Sequence, residues 1–210
     1  MSYKVGDTVL YGSDGVCHID EISERKIGSE KLSYYVLKPI YDAKSTVFVP
    51  MQNQKLLAKM VDILSEAELL ASLAEAKQSP FEWTEDDGQR KEIFKEIIDS
   101  GCIADIIRVV RLLYIRKKEL VACGRKLRVT DEIILKECEK ILYDEFALVL
   151  SMERGSVPAF LNEQLEIYLI INARATTAES RIPVISAESA AVSVWRVFFM
   201  PTEPKYTAMV

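Results

Sequence analysis

Cys17, Cys102, Cys123, Cys138 and the single histidine, His18, are the side chains on which this 210-residue chain could build covalent or metal chemistry. Their spacing supports neither. There is no CxxC pair, His18 adjoins only Cys17, and the other three cysteines fall in separate helical segments. A zinc site needs its ligands brought together from short, regular spacings. The plain reading is reduced, mostly buried thiols. The chain has no nucleophile elbow and no GxxxxGK[ST] phosphate loop. Nothing sets two carboxylates opposite each other across a cleft. The expectation is a protein that is not an enzyme and carries no cofactor.

Charge and one aromatic side chain remain. From Gln89 to Arg128 eleven basic residues face five acidic ones, a net of +6, while the whole chain carries −5 and the remainder therefore −11. Nonspecific nucleic-acid affinity is mostly phosphate neutralisation, so the acidic total argues against an autonomous nucleic-acid binder. A basic segment inside an acidic protein points to one anionic partner and at least one of another kind. Arg116-Lys117-Lys118 and Arg125-Lys126-Arg128 either meet phosphate or are solvated, the first run favoured at a helix C-terminus by the helix dipole. Trp83 follows Pro80 in a connection between two helices, where a large ring either projects or packs down on the bundle.

These residues need elements to position them. Hydrophobic residues make up 49% and charged residues 28% of the chain, ordinary for a folded protein. Four strands are expected at roughly 5–11, 16–23, 33–38 and 45–50, with turns at Gly12-Ser13-Asp14-Gly15 and Gly28-Ser29. A fifth strand near Gln54–Leu57 would complete a small barrel, which hides most edge groups. Helices dominate after Lys59. Ser65-Glu66-Ala67-Glu68 is a capping box, and Pro80 breaks the helix it opens. Asp86 or Asp87 caps a second helix that stops at Gly101. Ile103, Ile106, Ile107, Val110, Leu113 and Tyr114 define a third, with Arg108, Arg111, Lys117 and Lys118 on its outer face. Thr130 or Asp131 caps a fourth, and Ser156-Val157-Pro158 opens a fifth that ends near Glu166. Strand-like runs recur at Tyr168–Ile171 and Val194–Phe199. The expected organisation is α+β, with a β-barrel at 1–58, a helical domain at 59–166 and a segment at 167–210 without a clear structural reading. Met1-Ser2-Tyr3-Lys4 opens without an apolar h-region, and no apolar run is long enough to span a bilayer, so a cytoplasmic location is expected.

Val5-Gly6-Asp7-Thr8-Val9-Leu10-Tyr11, Asp14-Gly15-Val16, Tyr35-Val36-Leu37 and Val47-Phe48-Val49-Pro50, followed by Trp83, Arg90-Lys91, Ser100-Gly101 and the run from Ile106 to Leu120, resemble the CarD/CdnL family of bacterial transcription regulators over about residues 1–166. A related barrel occurs in the transcription-repair coupling factor, whose motor motifs this chain lacks. The resemblance implies a Tudor-like barrel that binds the β subunit of RNA polymerase. It also implies a helical domain that reaches promoter DNA, where a tryptophan wedges into the minor groove and favours the open complex. Carried onto this sequence, the wedge is Trp83 and the phosphate-holding residues are Arg90, Lys91 and Lys95. The polymerase-facing residues are Arg25, Val47, Phe48 and Val49. This chain departs from many relatives in placing Thr84-Glu85-Asp86-Asp87, not basic residues, behind the tryptophan. Three acids repel DNA unless they are otherwise engaged. They favour an alternative, a protein-only adaptor of the transcription machinery.

Overall fold

The computed structural model describes residues 3–27, 30–42 and 44–165. The turn expected at Gly28-Ser29 and the readings made for 167–210 lie outside the described residues. In order, the elements are β1 (Thr8–Tyr11), a 3-10 turn (Gly12–Asp14), β2 (Gly15–Ile27), β3 (Glu30–Pro39), β4 (Val47–Pro50), α1 (Gln54–Leu57), β5 (Met60–Asp62), α2 (Glu66–Gln78), α3 (Asp87–Ser100), α4 (Ile103–Ala122), α5 (Val129–Val149), a second 3-10 turn (Arg154–Ser156) and α6 (Val157–Gln164). The fold is α+β.

The strands form one antiparallel sheet in the order β4-β3-β2-β1-β5. Val9, Tyr11, Cys17, Ile19, Tyr35, Leu37, Val49 and Met60, drawn from all five strands, close over a common interior. That is how a strongly curled sheet buries one face. A register shift between Ile19 and Glu21 marks a bulge in β2, which adds twist. The expected barrel is not closed, because β4 pairs only with β3 and β5 only with β1. The fifth strand also lies later than Gln54–Leu57. The Asn53 side chain accepts from the amides of Lys55 at 3.1 Å and Leu56 at 3.2 Å, which caps a single helical turn there. The strand forms only at Met60.

The helices follow their local signals. Ser65 caps α2 while Glu68 accepts from the Ser65 amide at 2.8 Å, the reciprocal capping box. Asp86 caps α3 by accepting from the Gln89 amide at 2.7 Å, and Gly101 ends it in the left-handed region at φ +67°. Ile103, Ile106, Ile107, Val110 and Leu113 of α4 are all buried, as their spacing requires. α5 departs from expectation at its start. It begins at Val129 behind Arg128, which makes no side-chain cap, and Asp131 turns into the interior instead.

Sheet and helices share a core. Leu10 of β1 and Val16 of β2 pack with the buried residues of α2 to α6, not with the sheet interior. Lys59 bridges to Asp99 at 2.8 Å, and the Leu64 amide donates to Glu145 Oε1 at 3.3 Å. The approach at Gly15 is close, since a Cβ there would lie 2.6 Å from Asp144 Oδ2. That same carboxylate accepts from Arg154 Nε at 2.6 Å through its other oxygen.

Candidate functional site

Residues 79–86, between α2 and α3, have no regular helix or strand, and Trp83 sits near their middle. Its ring is half-buried against the helical core. Two guanidinium groups lie over it, that of Arg90 at 4.2 Å and that of Arg116 at 5.0 Å from the ring centroid. Such stacking is worth about 0.5–2 kcal/mol per pair, more as water is excluded. The indole N–H is buried and has no acceptor among the described residues.

The expectation that Arg90 holds a phosphate fails on burial. Arg90 is 2% exposed. Its Nε donates to Asp131 at 3.2 Å, one terminal nitrogen to the Thr84 carbonyl at 2.7 Å, and the other to Asp87 at 2.6 Å and Asp131 at 2.9 Å. Four of the five donors of the fork are therefore used within the chain. Arg90 is a positioning residue: it ties the tryptophan loop, through Thr84, to α3 and α5. Lys91 and Lys95 are exposed, one helical turn apart on α3.

The acids behind Trp83 are also engaged. Asp86 caps α3, Asp87 pairs with Arg90 and with Arg128, and Glu85 lies 3.7 Å from Arg116. The basic outer face expected for α4 is smaller than its sequence implies. Arg111 is buried and donates to the Ala76 carbonyl at 2.6 Å, closing the end of α2. Arg108 is largely buried, paired with Glu75 at 2.8 Å and with Asp105. Lys118, Arg125, Lys126 and Arg128 are exposed.

On the sheet, β4 pairs with β3 so that Phe48 opposes Val36 and Val49 opposes Tyr35. Tyr35 and Val49 belong to the interior, so Phe48 points out. The Arg25 guanidinium lies over the Phe48 ring at 3.9 Å, and both side chains are exposed. Val47 and Val49 correct the expected docking set. Val49 is fully buried and Val47 packs on the same interior, so of the three predicted β4 residues only Phe48 faces outward, on a strand at the end of the sheet.

Residues 3–61 match the CarD-like/TRCF RID domain, and residues 68–162 match the CarD C-terminal domain. This chain belongs to the CarD-like family. CarD-like proteins are transcription factors that interact with RNA polymerase, not enzymes. In this CarD-like chain Arg25 and Phe48 lie within the first matched domain, and Trp83, Lys91 and Lys95 within the second. Sequence reasoning missed Arg116 as a neighbour of Trp83 and Asp131 as the partner of Arg90. The latter two stand 41 residues apart, beyond any local pattern. Among the described residues no His, Cys, Asp and Glu side chains gather into a metal-holding group, and no helix is long and apolar enough to cross a membrane.

Proposed function

We propose that this CarD-like chain is a cytoplasmic regulator that docks on the RNA polymerase β subunit and stabilises the promoter open complex. Docking uses the outer face of β2 and β4, with Arg25 and Phe48 as the side chains and β4 as the end strand of the sheet. Trp83 is the wedge, and Lys91 and Lys95 hold phosphates on the same side of the duplex. The observation that carries this reading is the state of Trp83. A large ring on an irregular loop lies half-buried against the helical core under two guanidinium groups, while its N–H lacks a partner among the described residues. A buried unpaired donor costs about 1–3 kcal/mol, which lowers the cost of moving the indole out between base steps.

The mechanism is linkage. A factor that binds the open complex better than the closed one shifts the equilibrium by that difference in affinity. Tethering to polymerase raises the effective concentration of the wedge to about the millimolar range, so a modest DNA contact suffices. Trp83→Ala is expected to shorten open-complex lifetime about tenfold, equivalent to ~1.4 kcal/mol, while a β-subunit pull-down stays at the wild-type level. Full stabilisation by that variant would sink the wedge. A promoter footprint unchanged upstream of the bubble would favour the adaptor reading. Of the acids that motivated the adaptor, Asp86 and Asp87 are used to cap α3 and to pair with Arg90 and Arg128, while Glu85 stays exposed beside Arg116, so two of the three no longer favour that reading.

A further inference from the structure

The guanidinium groups of Arg116 and Arg128 each meet carboxylates of their own chain beside the Trp83 loop. Arg116 lies 3.7 Å from Glu85 and 3.2 Å from Glu119, and Arg128 pairs with Asp87. We infer that Arg116 and Arg128 are phosphate-binding positions, filled in the free protein by Glu85, Glu119 and Asp87, and opened when a DNA backbone replaces those carboxylates. The inference rests on the DNA reading given to Trp83 and adds to it two binding residues and an internal competitor.

Carboxylate and phosphate present the same acceptor pattern to a guanidinium fork, so one can stand in for the other. The internal pairs are built to be replaced. Glu85 is 81% exposed and Arg128 68% exposed. Exposed ion pairs are worth little, because water and salt screen them. Arg116 meets both acids through its terminal nitrogens, one to Glu85 and one to Glu119, while its Nε is buried, so the replaceable contacts are those of the outer end of the fork. The contrast with Arg90 is direct. Both lie over the same indole, but Arg90 is closed off and nearly saturated, whereas Arg116 is 29% exposed and held by two surface acids.

Placement supplies the rest. Arg116 lies 5.0 Å from the centre of the Trp83 ring, so a phosphate bound there belongs to the base steps the ring would enter. Asp87 opens α3 directly after the loop, which puts Arg128 at the same end of the site. Exposed Arg125 and Lys126 extend the positive surface along the chain. The acids that seemed to oppose DNA thus act as occupants of the phosphate positions, and they lower affinity for stray duplex without removing the site.

The test uses the full chain with a labelled fork-junction duplex, read by fluorescence anisotropy at low and moderate salt. Glu85→Gln/Glu119→Gln is expected to bind about three- to tenfold more tightly than wild type near ~50 mM salt, with a smaller gain near ~200 mM. Adding Arg116→Gln to that pair is expected to erase the gain. Both glutamates are surface residues, so the glutamine forms fold. Equal affinity of wild type and Glu85→Gln/Glu119→Gln overturns the inference, as does a gain that survives Arg116→Gln, or no binding by any form. The two readings separate in the open-complex assay. If Trp83→Ala abolishes stabilisation but the glutamine pair changes nothing, only the phosphate positions fall. If the pair tightens DNA binding while Trp83→Ala is silent, only the wedge falls.

Discussion

Arg90 and Asp131 form the most enclosed ion pair in the helical half, with side chains 2% and 4% exposed. Removing one member of such a pair leaves an unpaired buried charge, at a cost of about 3–5 kcal/mol. Asp131→Ala is therefore expected to lower the urea midpoint by that equivalent, with an unchanged m value, and to release the loop that Arg90 ties through Thr84. Arg90→Lys keeps the charge but cannot reach Thr84, Asp87 and Asp131 together, so it rescues little. Glu145 adds a pH dependence. Burial raises its carboxyl from the ordinary 4.5 to about 7, although the Leu64 amide favours the ionised form. The folded chain then holds this proton where the unfolded chain has lost it. The favourable contribution is complete below about pH 4.5 and is lost as pH rises toward 7. Glu145→Gln keeps an acceptor for Leu64 and removes the charge. Its melting temperature is expected to match wild type near pH 4 and exceed it at pH 8.

At the scale of elements, two glycines set how closely strands and helices meet. Gly15 has φ +78° and ψ −148°, a region nearly closed to other residues, and its missing Cβ leaves room for Asp144. Gly15→Ala is expected to cost about 1–3 kcal/mol from backbone strain alone, and thermal unfolding of the variant measures it. A Cβ on Gly101 would meet Val61 Cγ2 at 2.9 Å, where α3 ends against β5. The limits of α2 and α3 and the start of α6 were legible in the sequence because their signals are local, the Ser65 capping box, Asp86, Gly101 and Pro158 each acting within a turn. The start of α5 was not, since Asp131 is drawn into the interior by Arg90. The fifth strand was not, because the Asn53 cap overrides an apolar run that suits a strand equally well. Nor was the inward side of Val47-Phe48-Val49. Alternation fits either parity, and only the pairing of Val49 with Tyr35 decides it. Trp83, Lys91 and Lys95 were readable as a loop ring and two exposed cations. Arg90 was not, because its burial depends on a helix that begins 39 residues later.

For the whole molecule, the shared core makes sheet and helices one cooperative unit. Leu10 is 1% exposed and packs with the helical residues although it lies on β1. Leu10→Ala is expected to cost about 2–5 kcal/mol and to weaken hydrogen-exchange protection in α4 and α5 as well as in the sheet. Protection lost from the sheet alone would contradict a common core. Such packing links the sheet that carries Arg25 and Phe48 to the Trp83 loop through one hydrophobic cluster. It also sets a condition on portability. The domain type matched by residues 3–61 is described for TRCF as well as for CarD-like proteins. Here it is not self-wrapped, because Leu10 and Val16 face outward from their own sheet into borrowed cover. A fragment cut at residue 61 would expose that apolar pair to water, and it is expected to self-associate in light scattering, less so once Leu10 is made polar.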